Sequence, residues 1–373
     1  MTIMKVSVIT RHAINNYGSL LQAYATQLAI EKLGYEAEIL DYVRKDEQYE
    51  NMAQTQLTHN RRWNRNFLTR AVYLMWQKPE YVESGKKFEQ MQRQYLKLSN
   101  RYSDKDILKV NPPVADVYCT GSDQVWGPVG TEKYDPVYFW NFLPASRKKI
   151  AYAASFGRTE FDDTTVAVYK ELLKSYDSVC VREKSAMEIL HQLKITSGEQ
   201  VLDPTLLITD KEWINILGDK RVEEHPYILL YTLGNTSYTD QFARSFAKKK
   251  KMPLIRVTAA RHWRTRGSKN VLLPDLGEFV SYIRHASYMI TNSFHGTALA
   301  LNCGTQFVDI LPGITQTRNV SILELVGLKN RIITDFSDFS VFDNPIDFGS
   351  VQKILESERK KSFAILLQML KSV

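Results

Sequence analysis

The 373-residue chain has only three cysteines, Cys119, Cys180 and Cys303, far apart and without a CxxC pair. That number and spacing exclude a disulfide framework and a cysteine-based zinc finger, and the three read as reduced thiols of a cytoplasmic protein. No apolar run approaches the roughly 18 residues that a membrane-spanning helix needs. The N-terminal run Val6-Ser7-Val8-Ile9 is too short for a secretory signal core. The dinucleotide fingerprint GxGxxG, the phosphate loop GxxxxGK[ST] and the zinc motif HExxH are all missing. No metal cluster is expected, and no recognised nucleic-acid module argues for nucleic acid as a partner. Internal repeats and low-complexity tracts are absent as well.

What is present is ordinary globular composition, 44% hydrophobic and 24% charged. Lys and Arg number 49 against 41 Asp and Glu, a formal net charge of +8 that favours anionic partners. The first forty residues alternate between strand and helix. Lys5–Thr10 is a β-rich run, His12–Ser19 a polar loop, and Leu20–Leu33 has apolar residues at helical spacing up to Gly34. Glu38–Tyr42 is a second strand. Such a βαβ start predicts a parallel sheet in an α/β fold.

Strands are then expected at Ala115–Thr120, Lys149–Ala154 and Ser178–Val181, each running into a loop of small and polar residues. A second half opens at Pro226–Thr232 and continues with strands at Pro253–Val257, Tyr288–Thr291 and Gln306–Leu311. The pattern predicts two Rossmann-like domains facing a cleft. Residues 1–207 form the first, with a basic helical insertion at about 45–110. Residues 208–350 form the second. The amphipathic segment 351–373 is a C-terminal helix with the option of crossing back to the first domain. Within the insertion, residues 58–97 hold nine basic and three acidic side chains, a net +6. Trp63, Phe67, Ala71, Leu74 and Met75 recur there at helical spacing, with Trp76 adjacent. Three readings stand: a helix packed on the domain with a solvated charged face, a surface that meets an anionic membrane through Trp63, Phe67, Trp76 and the nearby Lys and Arg, and, ranked last for want of a recognised module, a nucleic-acid surface.

In open parallel sheets, ligands bind beyond the carboxyl ends of the strands, which directs attention to four loops. Thr291-Asn292-Ser293-Phe294-His295-Gly296-Thr297 joins a strand to a helix, where free N–H groups and a partial positive charge favour anions. His295 there is suited to binding a phosphate or donating a proton. Arg182 follows another strand and can grip a carboxylate or phosphate with two parallel hydrogen bonds, or form a salt bridge to Glu183 or a neighbour. Asp123, in Gly121-Ser122-Asp123-Gln124, is a candidate general base on a hydroxyl or a turn cap. In the first loop, Asn16, Tyr17 and Gly18 either let backbone approach a ligand or simply make a turn.

These same blocks carry a resemblance. Asn16-Tyr17-Gly18 with Leu21-Gln22-Ala23-Tyr24-Ala25, then Thr120–Trp126, Val181-Arg182-Glu183 with Ser185, Asp203-Pro204-Thr205 and Ser293-Phe294-His295-Gly296 together resemble the polysaccharide pyruvyl transferase family, in the same order. The matching blocks run from about residue 5 to about 310; the insertion and the C-terminal helix lie outside them.

The resemblance implies a glycosyltransferase-B-like fold and transfer of pyruvate from phosphoenolpyruvate to a sugar of a cell-surface polysaccharide or its lipid-linked precursor. A cyclic ketal forms and phosphate leaves, with no cofactor or metal required. It associates Arg182 and His295 with the donor site, joined here by Ser293, Gly296, Thr297 and Asn235. Asn16, Tyr17, Gly18 and Gln124 fall to the acceptor side or cleft, and His295 and Asp123 to catalysis. Many members have Arg-Leu-His-Gly where this chain has Ser293-Phe294-His295-Gly296, so the donor charge is expected from Arg256, Arg261 or Arg264. The implied location is cytoplasmic, with peripheral attachment at the inner face of the membrane as a variant. Two rivals share the fold: a nucleotide-sugar glycosyltransferase using Asp275 or Glu278 for the ribose, and a non-catalytic partner in a polysaccharide assembly complex.

Overall fold

The computed structural model describes residues 3–130, 132–234, 236–311 and 317–371. The chain divides into two compact units. The first comprises Met1–Arg182, Ala186–Pro204 and Ile365–Val373, and the second Glu183–Ser185 and Thr205–Ala364. The division falls at Pro204/Thr205, three residues before the boundary read from sequence.

In the first unit six strands pair in parallel: β1 (Lys5–Ile9), β2 (Glu36–Ile39), β3 (Val117–Thr120), β4 (Lys149–Ala154), β5 (Ser178–Val181) and β6 (Glu199–Gln200). Their order is β2-β1-β3-β4-β5-β6. Strands β3 and β4 are buried along their whole length, which is why they read as continuous apolar runs rather than alternating ones. The first helix, Tyr17–Lys32, starts three residues earlier than its apolar spacing predicts, because Asn16 caps it by accepting from the Gly18 N–H at 2.7 Å. It ends at the expected place, with Gly34 at φ +88°. An aromatic cluster fills the core, with Trp126 stacked on Phe139 at 5.4 Å and Tyr118 edge-on to Trp140 at 5.2 Å.

The second unit holds five parallel strands: β7 (Ile228–Tyr231), β8 (Leu254–Thr258), β9 (Lys269–Leu272), β10 (Tyr288–Thr291) and β11 (Phe307–Asp309). They are ordered β11-β10-β7-β8-β9. Strand β9 escaped the sequence reading because an edge strand reading Lys-Asn-Val-Leu has no apolar run. Phe246 stacks on Phe342 at 4.0 Å in this unit's core. None of the three cysteines is in a disulfide, and burial pushes the Cys119 thiol up to about 12, so it does not ionise near neutrality. No described helix is long and apolar enough to cross a membrane.

The insertion is helical, as expected, with helices Tyr49–His59 and Phe67–Tyr95. The two touch closely at Gly85. A β-carbon there would sit 2.1 Å from Tyr49 Cβ and 2.3 Å from Tyr49 Cγ. Those atoms lie next to the backbone and cannot swing aside, so one helix would have to move. Gly85→Ala is therefore expected to destabilise the protein by about 1–3 kcal/mol through overpacking, visible as a lower melting temperature. An unchanged melting temperature would mean that the two helices do not pack this closely.

Candidate active site

Parallel strands deliver all their carboxyl ends to one edge of a sheet, and in each unit that edge carries a polar cluster. In the first unit the cluster is built around Arg182, which directly follows β5. Its guanidinium is fully buried. Nη1 donates to Asp203 Oδ2 at 2.9 Å and to Ser122 Oγ at 3.2 Å, and Nη2 lies 3.6 Å from Asp123 Oδ1. Ser122 Oγ also donates to Asp203 Oδ2 at 2.7 Å. The salt bridge foreseen as one option for Arg182 is thus made, with Asp203 and Asp123 as the partners.

Asp123 sits in the left-handed region at φ +79°. For a residue other than glycine, that conformation costs on the order of 1–3 kcal/mol and persists only where its surroundings enforce it. Here Oδ1 accepts from the Gln124 N–H at 2.8 Å and Oδ2 from Ser19 Oγ at 2.8 Å. The turn after β3 is thereby tied to the start of the first helix and to the end of β5. Thr10, just after β1, joins the network by donating from Oγ1 to the Ser122 carbonyl at 2.7 Å.

The other first-unit candidates take local roles. Asn16 is the helix cap already described. Tyr17 is buried with its ring 5.0 Å from Phe88, and Gly18 lies in the first helical turn. Gln124 is half-buried, beside Gly157. Sequence reasoning assigned no role to Ser19, Ser122 or Asp203. The last two stood in the quoted motifs, so the signal was present.

In the second unit the helix Phe294–Cys303 begins after only Asn292 and Ser293 beyond β10, inside the stretch expected to be loop. His295 therefore lies inside its first turn and not in a preceding loop, with 6% of its surface exposed. Ser293 is the cap, its Oγ accepting from the Gly296 N–H at 3.2 Å. Gly296 is required by close approach: a β-carbon would meet Thr291 Oγ1 at 2.7 Å and Met289 Cε at 3.0 Å. Thr297 Oγ1 donates to Asp309 Oδ2 at 2.7 Å, and Asn319 Nδ2 reaches the same oxygen at 2.9 Å. Burial raises the Asp309 carboxyl to about 7, against the lowering effect of these two hydrogen bonds. Asn292 pairs with the loop after β7 through both amide atoms, accepting from the Leu233 N–H at 2.7 Å and donating to its carbonyl at 3.2 Å.

The cations near this edge differ from expectation in one respect. Arg256, expected to help supply the donor charge, is fully buried on β8. Its guanidinium is held by the Gly234 carbonyl at 3.0 Å, Thr265 Oγ1 at 3.3 Å and Asp240 at 3.4 Å, and burial lowers it to about 10. Arg261, Arg264 and Arg266, in the loop after β8, are exposed. Sequence reasoning missed Arg318, whose guanidinium carbon lies 6.0 Å from the Phe294 ring centroid, beside the His295 turn. Asn235 lies outside the described residues. Asp275 and Glu278 form the capping box of helix Leu276–Arg284, with Glu278 Oε2 accepting from the Asp275 N–H at 3.0 Å. Among the described residues, no group of three or more His, Cys, Asp or Glu could hold a metal ion.

Solved structures with the same fold include UDP-N-acetylglucosamine 2-epimerases. The Rickettsia bellii enzyme is 12% identical, with a TM-score of 0.54 over 100% of this chain and 97% of that one. The Methanocaldococcus jannaschii enzyme, in complex with UDP-GlcNAc and UDP, is 11% identical, with a TM-score of 0.51 over 99% and 100%. At this identity the likeness establishes the glycosyltransferase-B-like, two-domain α/β fold alone. No curated protein matches the chain in sequence. The family model for polysaccharide pyruvyl transferase matches residues 16–311, most of the chain, including Asp123, Arg182 and His295, and the chain belongs to that family.

Proposed function

We propose that the protein transfers pyruvate from phosphoenolpyruvate to a sugar of a cell-surface polysaccharide or its lipid-linked precursor, on the cytoplasmic side of the membrane. The observation that carries this reading is the His295 turn. It offers a helix N-terminus after a parallel strand, a buried imidazole in the first helical turn, and Arg318 beside it. Phosphoenolpyruvate carries about three negative charges at pH 7, so it suits a positive helix end with an arginine nearby. The exposed Arg261, Arg264 and Arg266 add charge at the same sheet edge.

The reaction protonates the methylene carbon of the donor, and a sugar hydroxyl oxygen bonds to the central carbon. A second hydroxyl of the sugar closes the ring as the carbon–oxygen bond to phosphate breaks. Of the two hydroxyl protons, one balances the new methyl group and the other leaves with phosphate. His295 serves as the acid or stabilises the departing phosphate. Asp123, rigidly held at the end of β3, takes a proton from the acceptor hydroxyl. The nucleotide-sugar alternative is less well supported, because Asp275 and Glu278 cap their own helix.

Thermal melting with phosphoenolpyruvate, and separately with a panel of nucleotide sugars, tests the reading. Ligand at 100 times its Kd adds about 2.7 kcal/mol. A shift with phosphoenolpyruvate that disappears in His295→Gln and in Arg318→Ala is expected. A shift with a nucleotide sugar alone would make the protein a glycosyltransferase. Arg182→Ala is unsuitable for this purpose: it leaves Asp123 and Asp203 facing each other in the interior, at a cost of about 3–5 kcal/mol.

Asp309 gives a prediction about pH. Its folded value of about 7 exceeds the unfolded reference of about 3.9, so the folded state binds this proton more tightly. The resulting stability is fully present below about pH 4 and is lost as pH rises towards 7. Asp309→Asn does not titrate and should gain on the wild type by about 2 °C or more in melting temperature between pH 5 and pH 8. Parallel curves would show that this carboxyl titrates in its ordinary range.

A further inference from the structure

The first three turns of the helix Phe67–Tyr95 are inverted relative to an ordinary surface helix. A surface helix turns its apolar stripe inward and its polar face to water. Here Leu68, Val72, Met75 and Trp76, spaced i, i+4, i+7 and i+8, share the outward face and are 73%, 46%, 76% and 63% exposed. Ala71 and Pro79 extend the stripe, and Phe67, 81% exposed, borders it at the helix start. The opposite face buries Tyr73 and Gln77. Trp63, expected on the exposed face, precedes the helix instead and is half-buried with its ring 6.0 Å from Tyr73. A continuous apolar face of this kind is uncommon on an uncovered protein surface.

Charge identifies what covers it. From Thr58 to Pro79 the chain has five basic residues, Arg61, Arg62, Arg65, Arg70 and Lys78, and no acidic one. All five are exposed. Arg65 and Arg70 line a groove whose other walls include Asn66, Phe67, Ala71 and Leu74. A second copy of the chain seated on this face would bring an identical set of positive charges against the first. An anionic lipid surface brings the opposite charge together with an apolar layer beneath it. The segment is too short to span a bilayer, so it would lie in the plane of the interface.

We propose that Phe67–Pro79 docks the protein on an anionic membrane. Phe67, Leu68, Val72, Met75 and Trp76 enter the acyl boundary, while Arg61, Arg62, Arg65, Arg70 and Lys78 meet lipid phosphates. This goes beyond the pyruvyl-transfer reading and does not depend on it.

Co-sedimentation of the full chain with vesicles, without substrate, tests the proposal. One set is pure phosphatidylcholine and the other contains about one-third phosphatidylglycerol. Binding to the anionic set at least about tenfold tighter than to the neutral set, and weakened at about 0.5 M salt, is expected. Met75→Glu with Trp76→Glu should reduce that binding about tenfold or more. Because both side chains are exposed, the melting temperature should not change. Arg65→Gln with Arg70→Gln should weaken binding to anionic vesicles only. Equal binding by the Met75/Trp76 variant, or no binding to either set, would overturn the proposal. So would a dimer in sedimentation velocity that the same variant dissociates, which would assign the face to a second copy.

Discussion

A guanidinium held away from water organises the first unit. Burying a charge costs several kcal/mol unless it is paired and fully hydrogen-bonded. Arg182 is paired by drawing Asp203 and Asp123 to itself, with Ser122 as a second acceptor for its Nη1. The consequence reaches beyond stability. The turn after β3, the end of β5 and the segment leading out of the first unit are fixed to one another through a single planar group. The left-handed backbone at Asp123 is held in place by that arrangement and by the Ser19 hydroxyl. Lysine could not substitute, because a single ammonium cannot present separate nitrogens to Asp203 and to Asp123 as a planar guanidinium does.

The second unit reaches the same end by a different route. There the buried group is a carboxyl whose burial favours the protonated form, and neutral donors surround it. Asp309, at the end of β11, accepts from Thr297 in the helix after β10 and from Asn319 in the helix that follows. This fixes the turn that carries His295 from behind, and Gly296 lets the turn press directly onto Thr291 and Met289. In each unit, polar residues at strand ends are directed partly inward to set loop geometry. Only the remainder, such as Arg261, Arg264 and Arg266, is left facing solvent. A residue's place at a strand end therefore does not by itself say whether it binds ligand or positions a neighbour that does.

That ambiguity marks where sequence reading stops. The buried strands were legible because parallel strands covered on both faces write continuous apolar runs; Lys149–Ala154, Ser178–Val181 and Tyr288–Thr291 were located to the residue. Edge strand β9 was not, since none of its residues is fully buried and it writes no apolar run. Helix starts were read late at Tyr17 and Phe294, because a polar cap and its first turn look like loop until the hydrogen bond is seen. His295, Arg182 and Asp123 could be singled out from their positions in the motifs. The partners that hold two of them in place, Asp203 for Arg182 and Ser19 for Asp123, lie 21 and 104 residues away in sequence, and no local pattern announces such pairs. Exposure was equally hidden. Helical spacing alone cannot tell an inward stripe from an outward one, so Trp63 and Trp76 looked equivalent.

The serine at position 293 follows from the same logic. The family resemblance leads one to expect an arginine there, one step before the aromatic residue and the histidine. In this chain the position is the helix cap, 1% exposed, and its oxygen accepts the Gly296 N–H. An arginine has no acceptor and could not make that bond. Serine therefore gains a cap for the turn that carries His295 and gives up a cation there. Arg318 stands against the adjacent Phe294 ring, so a positive charge returns to the same turn from a different element. A guanidinium arriving from another helix approaches along a different line from one rooted in the turn itself. Under the proposed function, the orientation of the donor's carboxylate or phosphate, more than the presence of charge, would then distinguish this turn from one with arginine at the cap.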